Sequence, residues 1–277
     1  MSADCARALM QQTNLPRLEA RMLLEHVLQR PRSWLLAHDT DTLDPALIER
    51  YEALAQRRLA GEPMAYLVQK REFMGHDFYV APGVLIPRPD TELLVETALA
   101  HLDGTRGSGH ERSTVLDLGT GSGAVAISIA LGCAQARVVG TDVSSDALRI
   151  ARRNGLTLGA VVDWRPGSWY DAVDPTERFD LIVSNPPYIA RDDPHLLEGD
   201  LRFEPEGALT DGADGLNDLA TLISGAARHL HEGGGIWLEH GWQQAPAVRN
   251  LLIQAGFQNV RSLDDLAGIA RISGGHL

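Results

Sequence analysis

The sequence predicts an open α/β sheet, doubly wound and mostly parallel, preceded by a small helical bundle and a β-hairpin. Three observations lead there. From Thr114 onward, short apolar runs alternate with helical patterns, as in parallel strands joined by crossover helices. The first of these runs ends in Gly119-Thr120-Gly121-Ser122-Gly123, a turn of the kind that leads a strand into its helix. The first 70 residues carry apolar positions at helical spacing and have no glycine before Gly61.

In chain order, Leu18, Met22, Leu23, Val27 and Leu28 share one helical face, and Ile48, Tyr51, Leu54 and Leu59 another. Pro16 and Pro31 punctuate the first part, and Asp44-Pro45 reads as an N-cap followed by a first-turn proline. These residues form the predicted helical domain, 1–70. Residues 72–87 alternate aromatic and β-branched side chains around Gly75 and Gly83, which predicts a hairpin in a linker spanning 71–88. A third region, 89–277, opens with a helix capped by Asp90, and residues 101–113 read as a polar, glycine-rich loop. Strands are then expected at 115–118, 137–141, 161–164, 181–183 and 236–239, with helices at 124–131, 145–154, 216–231 and 246–255. Gly233-Gly234-Gly235 is expected to stop the third of those helices. Residues 257–262 and 268–272 form a closing antiparallel pair in this reading.

The composition narrows the function classes. At 277 residues, with 44% hydrophobic and 22% charged, the chain can bury a sizeable core. A formal net charge of -12 argues against a general phosphate-binding surface, so no direct nucleic-acid partner is expected. The two cysteines, Cys5 and Cys133, form no C-x-x-C pattern, which points to a reducing, cytoplasmic setting. Residues 1–10 carry Asp4 and Arg7 and do not read as a signal peptide. The longest apolar stretch, 124–134, is broken by Ser128 and Gly132 and is too short to cross a membrane. The histidines are scattered, and no metal site is expected.

Chemistry concentrates at three strand ends. The strand ending at Val183 runs into Ser184-Asn185-Pro186-Pro187-Tyr188. Two prolines cannot continue a hydrogen-bonded ladder, so the chain leaves the sheet at Asn185, at the carboxyl end where open α/β sheets bind ligands. An Asn side chain there offers one acceptor and two donors, suited to a flat carboxamide or aryl amine, although a rigid turn alone would also explain the tetrapeptide. The Gly119–Gly123 turn and the helix N-terminus behind it suit an anionic group, and Gly119-x-Gly121-x-x-Ala124 also meets the dinucleotide pattern. Asp142 follows at the spacing of a ribose-binding acid, or else caps the next helix, with Ser144 and Ser145 also available to cap it. Trp169 either stacks on a purine or fills the core. Asp117, inside an apolar strand, needs a hydrogen-bond partner or a cationic ligand to offset its burial.

Taken together, these motifs resemble class I S-adenosylmethionine-dependent methyltransferases acting on planar nitrogens, which implies a Rossmann-like fold for residues 89–277. The resemblance narrows with Gly83-Val84-Leu85-Ile86-Pro87-Arg88-Pro89-Asp90-Thr91-Glu92, the residues 115–123 and 183–189, Phe203-Glu204-Pro205 and Asp211-Gly212-Ala213-Asp214-Gly215. In these stretches the chain is similar to the HemK family, the peptide chain release factor glutamine methyltransferases. One departure is Gln69, where the resemblance leads to an expectation of Gly.

The resemblance implies methyl transfer from S-adenosyl-L-methionine, leaving S-adenosyl-L-homocysteine, to the glutamine amide nitrogen of the Gly-Gly-Gln motif in class 1 release factors. By the same resemblance, Gly119, Thr120, Gly121, Ser122, Gly123, Asp142, Trp169 and Asn185 bind the cofactor. Asn185, Pro186, Pro187 and Tyr188 bind the glutamine, with Asn185, Pro186 and Tyr188 catalytic. Arg88 to Glu92 lie near the pocket mouth, and Glu204 and Glu239 are either pocket-side acids or a loop ion-pair member and a strand-end cap. No His or Lys stands beside Asn185 in the sequence. Catalysis is therefore expected from placement: the Asn185 oxygen and Pro186 carbonyl accept the two amide N–H groups while Tyr188 packs on the amide plane. The helical domain is expected to dock the release factor, and the enzyme to be a monomer. A glutamine methyltransferase of a ribosomal protein would carry the same acceptor motif. A nucleic-acid amino-methyltransferase needs a basic groove, which the charge opposes. A nicotinamide dehydrogenase or a non-catalytic nucleotide-binding module would leave Asn185 to Tyr188 unexplained.

Overall fold

In a computed structural model, which describes residues 4–104 and 113–277, contacts divide the chain into two units. One is Met1–Lys70 with Glu198–Phe203, the other Arg71–Leu197 with Glu204–Leu277.

The first unit is helical: α1 (Ala6–Gln12), α2 (Arg17–Leu28), α3 (Arg32–His38), α4 (Pro45–Leu59) and α5 (Met64–Val68). The periodic apolar faces meet in one core around Leu23, Leu24, Val27, Tyr51 and Leu54. Asp44 caps α4 by accepting from the Ala46 amide at 2.8 Å, and Pro45 occupies the first turn, where no N–H is missed. Arg58 grips Glu19 with two hydrogen bonds of 2.8 and 2.9 Å. The 198–203 segment joins this unit through Arg202, which donates to the Ala60 carbonyl at 3.1 Å. Gln69 ends α5 in the left-handed region, at φ 55°.

The second unit opens with a hairpin shorter than the alternation predicts. Strand β1 (Arg71–Phe73) pairs with β2 (His76–Phe78), and residues 79–88 then run without strand pairing. The turn at Met74 and Gly75 takes positive φ at both residues, which closes the hairpin after three residues a side. Helix α6 (Glu92–Gly104) follows a short 3-10 turn, Pro89–Thr91. Asp90 does not cap it: no side chain caps the turn, and Asp90 faces Arg271 at 3.5 Å. His101 to Gly104, expected in a loop, are the last turn of α6; the rest of that loop, 105–112, lies outside the described residues.

The sheet holds β3 (Thr114–Leu118), β4 (Arg137–Asp142), β5 (Val162–Pro166), β6 (Phe179–Ser184), β7 (Leu230–Glu239), β8 (Gln258–Asp264) and β9 (Ala270–His276), in the order β5-β4-β3-β6-β7-β9-β8. The first five of these are parallel, and β9 and β8 close one edge antiparallel. Helices α7 (Ala124–Gly132), α8 (Ser145–Leu158), α9 (Asn217–Ala226) and α10 (Ala245–Gln254) complete the unit.

Strand alternation divides the core. Val115 and Val183 pack with Leu94, Val95 and Ile127 on the face covered by α6 and α7. Leu116, Leu118, Ile182 and Ile236 face Leu219, Leu222, Val248 and Leu252 of α9 and α10.

The expected helix to 231 stops at Ala226, and the glycine triplet lies inside β7 instead of ending a helix. Close approach explains it: a β-carbon at Gly234 would lie 2.9 Å from the His231 carbonyl, and one at Gly235 2.8 Å from the His101 ring. The order of successive strands reverses between the parallel neighbours β3 and β6, which makes the crevice between their carboxyl ends the switch point of the sheet.

Candidate active site

A cavity of about 390 Å³ opens at that crevice, within the size range of small-molecule sites. Its wall is built from the ends of several strands. From β3 come Asp117 and, beyond it, Gly119, Thr120, Gly121 and Ser122; from β4 Asp142; from the loop after β5 Trp169; and from the loop after β6 Asn185 and Pro187. Gly123, Pro186 and Tyr188 are not part of this wall. Gly123 holds the start of α7 at φ 84°, Pro186 is buried, and Tyr188 turns back toward β7.

The glycine turn is folded by its neighbours. The Thr120 amide donates to the Thr141 carbonyl of β4 at 2.8 Å, and the Gly123 amide to the Thr120 carbonyl at 2.8 Å. Gly119 takes φ 73°, and a β-carbon there would sit 3.0 Å from the Trp169 ring. Only glycine gives both that backbone and that clearance. The Asp142 carboxylate accepts from the Gly121 amide and the Ser144 amide, each at 2.8 Å, while Ser144 itself caps α8 through the Ala147 amide at 3.2 Å. Asp142 is thus freed from capping and borders the cavity. Burial pushes its pKa up, opposed by the amides of Ser144, Gly121 and Val143.

Asp117 is fully buried and accepts from the Thr120 hydroxyl at 2.6 Å. Burial pushes its carboxyl up to about 7, against the Thr120 hydroxyl and the Ala126 amide, with the charge of Asp142 adding to the rise. Trp169 stands at φ 47°, an uncommon value for an aromatic residue, with Asp218 beside its indole.

Ser184 donates to the Leu118 carbonyl at 2.6 Å and so ties the end of β6 to the end of β3. Asn185 donates from its side-chain nitrogen to the Thr91 hydroxyl at 3.1 Å. Behind the loop, the Tyr188 hydroxyl donates to Glu239 at 3.1 Å, and burial and then the Glu239 charge hold the Tyr188 pKa well above its ordinary value. Glu204 pairs with Arg88 at 2.7 Å, as a loop ion-pair member. Glu239 is the last residue of β7 and a buried acceptor.

Sequence reasoning did not assign Thr91 or Gln244. Gln244 donates to the Tyr188 carbonyl at 3.0 Å and to that of Gly215 at 3.1 Å, fixing the exit of the acceptor loop. Neither carries a local signal, because both act through contacts distant in sequence. Among the described residues no group of three or more His, Cys, Asp or Glu is placed to hold a metal, and no helix is long and apolar enough to cross a membrane.

Residues 3–68 match the model of the PrmC N-terminal domain and residues 89–197 that of the methyltransferase small domain. A release factor glutamine methyltransferase of Bordetella pertussis is 62% identical over 263 residues, covering 95% of this chain and 96% of that protein. One of Burkholderia pseudomallei is 51% identical over 282 residues, covering 100% and 97%. Among solved structures, a methyltransferase from Pyrococcus furiosus superposes with a TM-score of 0.52 at 21% identity, covering 80% of this chain and 95% of that one. The fold is that of the class I S-adenosylmethionine-dependent methyltransferases. The chain belongs to the release factor glutamine methyltransferase family.

Proposed function

We propose that this protein transfers a methyl group from S-adenosylmethionine to the side-chain amide nitrogen of the glutamine in the Gly-Gly-Gln motif of class 1 release factors. The observation that carries the reading is one shared cavity. Asn185, with donor and acceptor atoms on one flat group, lies in the same wall as Gly119 to Ser122, Asp142 and Trp169.

The wall fits the cofactor on its own terms. The close approach at Gly119 leaves a cradle that any β-carbon would fill, Asp142 can accept from ribose hydroxyls, and the face of Trp169 can receive a purine. Bound there, S-adenosylmethionine supplies an electrophilic sulfonium methyl.

The protein's part is placement. An amide nitrogen is a weak nucleophile because its lone pair is delocalised into the carbonyl. In this reading the Asn185 oxygen and the Pro186 carbonyl accept the two N–H groups of the substrate. They hold its nitrogen in line for attack and favour the positive charge that develops on it. Pro187 stiffens the loop. Tyr188 supports it from behind and does not line the cavity.

The division into a helical domain (1–70), a linker (71–88) and a catalytic domain (89–277) belongs to the same proposal, with the helical domain docking the release factor. So do a monomeric state, a cytoplasmic location and the absence of a direct nucleic-acid partner, which the net charge of -12 supports. The test is radiolabelled methyl transfer to a purified class 1 release factor, unaltered and with the motif glutamine replaced. Label is expected on the first only. Equal labelling of both, or transfer to a ribosomal protein instead, overturns the reading.

A further inference from the structure

Glu239, at the end of β7, is 1% exposed, and its Oε2 has no hydrogen-bond partner among the described residues. The Tyr188 hydroxyl donates to its Oε1 at 3.1 Å, and the Thr91 hydroxyl also bonds to this carboxyl. Thr91 in turn accepts from the Asn185 side-chain nitrogen at 3.1 Å. A threonine hydroxyl has one proton to give. Given to Glu239, that proton leaves a lone pair facing Asn185, so Asn185 must present its nitrogen to Thr91 and keep its oxygen for an incoming N–H.

We infer that Glu239 is a positioning residue for the acceptor site: through Thr91 it decides which end of the Asn185 carboxamide faces the cavity. This rests on the function proposed above. With Glu239 ionised, both hydroxyls donate to it and the productive orientation holds. With Glu239 protonated, its own O–H competes for Thr91, and the Thr91 proton is released toward Asn185, which then favours the reversed amide.

Burial pushes the Glu239 carboxyl up to about 7; the hydroxyls of Thr91 and Tyr188 and the charge of Arg271 oppose the rise, and Asp90 adds to it. Arg271 is itself shared with Asp265 at 3.1 Å and Asp90 at 3.5 Å, and the adjacent His240 bonds to Ser273 at 2.7 Å. Deprotonation thus favours the productive amide, and the activity gained on raising the pH is lost on lowering it through neutrality.

The experiment follows the side-chain nitrogen-15 resonance of Asn185 in the full, unliganded chain, assigned by its loss in Asn185→Ala, from about pH 6 to about pH 8. It is expected to titrate in the wild type and in Thr91→Ser, and to be flat in Glu239→Gln and Thr91→Val. Turnover on a class 1 release factor should fall about tenfold per pH unit below the same midpoint in the wild type. That limb should be absent in Glu239→Gln, with KM for S-adenosylmethionine unchanged. Should Glu239→Gln not fold, the Thr91→Ser and Thr91→Val pair carries the same comparison. A flat Asn185 signal in the wild type, or a titration unchanged in Glu239→Gln and Thr91→Val, overturns the inference. A titrating signal with no methyl transfer at any pH overturns the functional reading instead, since the resonance needs no substrate.

Discussion

Gly215 presses its bare α-carbon against the carbonyl of Tyr188, leaving no room for a β-carbon. Its φ of 83° is one that other residues avoid, and Asp211 holds it there by accepting from its amide at 3.0 Å. The Asp211-to-Gly215 segment is thus the buttress of the acceptor loop. Replacing Gly215 by Ala must displace that loop or the segment. The expected outcome is a fall in kcat of at least about tenfold with S-adenosylhomocysteine affinity nearly unchanged, read by steady-state kinetics and calorimetry.

Asn185→Ala removes the side chain that borders the cavity without touching the glycine turn. Methyl transfer is expected to drop by roughly 10²–10³, the scale seen when one preorganised hydrogen-bonding group is lost. Affinity for S-adenosylhomocysteine should stay within about tenfold of wild type. Near-normal turnover in this variant would remove the mechanism.

Asp142→Asn tests the turn itself. Two backbone amides donate to the two oxygens of Asp142, and an Asn can accept only one of them. The other amide would meet an NH2 group, at a cost of about 1–3 kcal/mol. Calorimetry should record a loss of cofactor affinity of about 10- to 100-fold.

Asp117 makes the unliganded protein pH-sensitive. Its carboxyl rises from an ordinary 3.8 to about 7 in the fold, so the folded state holds a proton that the unfolded chain has released. Stability from this group is complete below the unfolded value and is lost as pH rises through about 7. The melting temperature should therefore fall between about pH 4 and about pH 7 and level off above, and the fall should be less steep in Asp117→Asn. A cationic ligand in the cavity favours the ionised form, so preference for S-adenosylmethionine over neutral-sulfur S-adenosylhomocysteine should grow with pH across the same interval and flatten in Asp117→Asn.

Gln69 is strained at a position where the family resemblance leads to an expectation of glycine. It occupies the left-handed cap of α5 at φ 55°, a conformation that costs residues other than glycine about 1–2 kcal/mol. Gln69→Gly should raise stability by about 1 kcal/mol, measured by urea unfolding, since the glycine's greater unfolded-state freedom cancels part of the gain.

What the sequence made legible was mostly local. Val115 to Leu118 and Leu181 to Val183 read as strands because burial on both faces demands unbroken apolar runs, and the two prolines after Asn185 forced the exit from the sheet. Asp142 and the glycine turn were legible through their spacing. The illegible part lies in contacts that no spacing records. Thr91 reaches Asn185 across 94 residues, and Tyr188, expected against the substrate, turns to Glu239 on another strand. The glycine triplet misled for a related reason. As a local signal it reads as a breaker, whereas in β7 it admits neighbouring backbone and the His101 ring.

Asp117 and Val183 face one another across adjacent strands, and each lies two residues before its motif, at Gly119 and Asn185. Strand side chains alternate, so one residue gained or lost in either strand rotates everything after it to the opposite face. A single inserted codon in β6 would leave Asn-Pro-Pro-Tyr spelled correctly and aimed at the wrong side. In this stretch counting matters as much as spelling, and drift in length has to be absorbed elsewhere in the polypeptide.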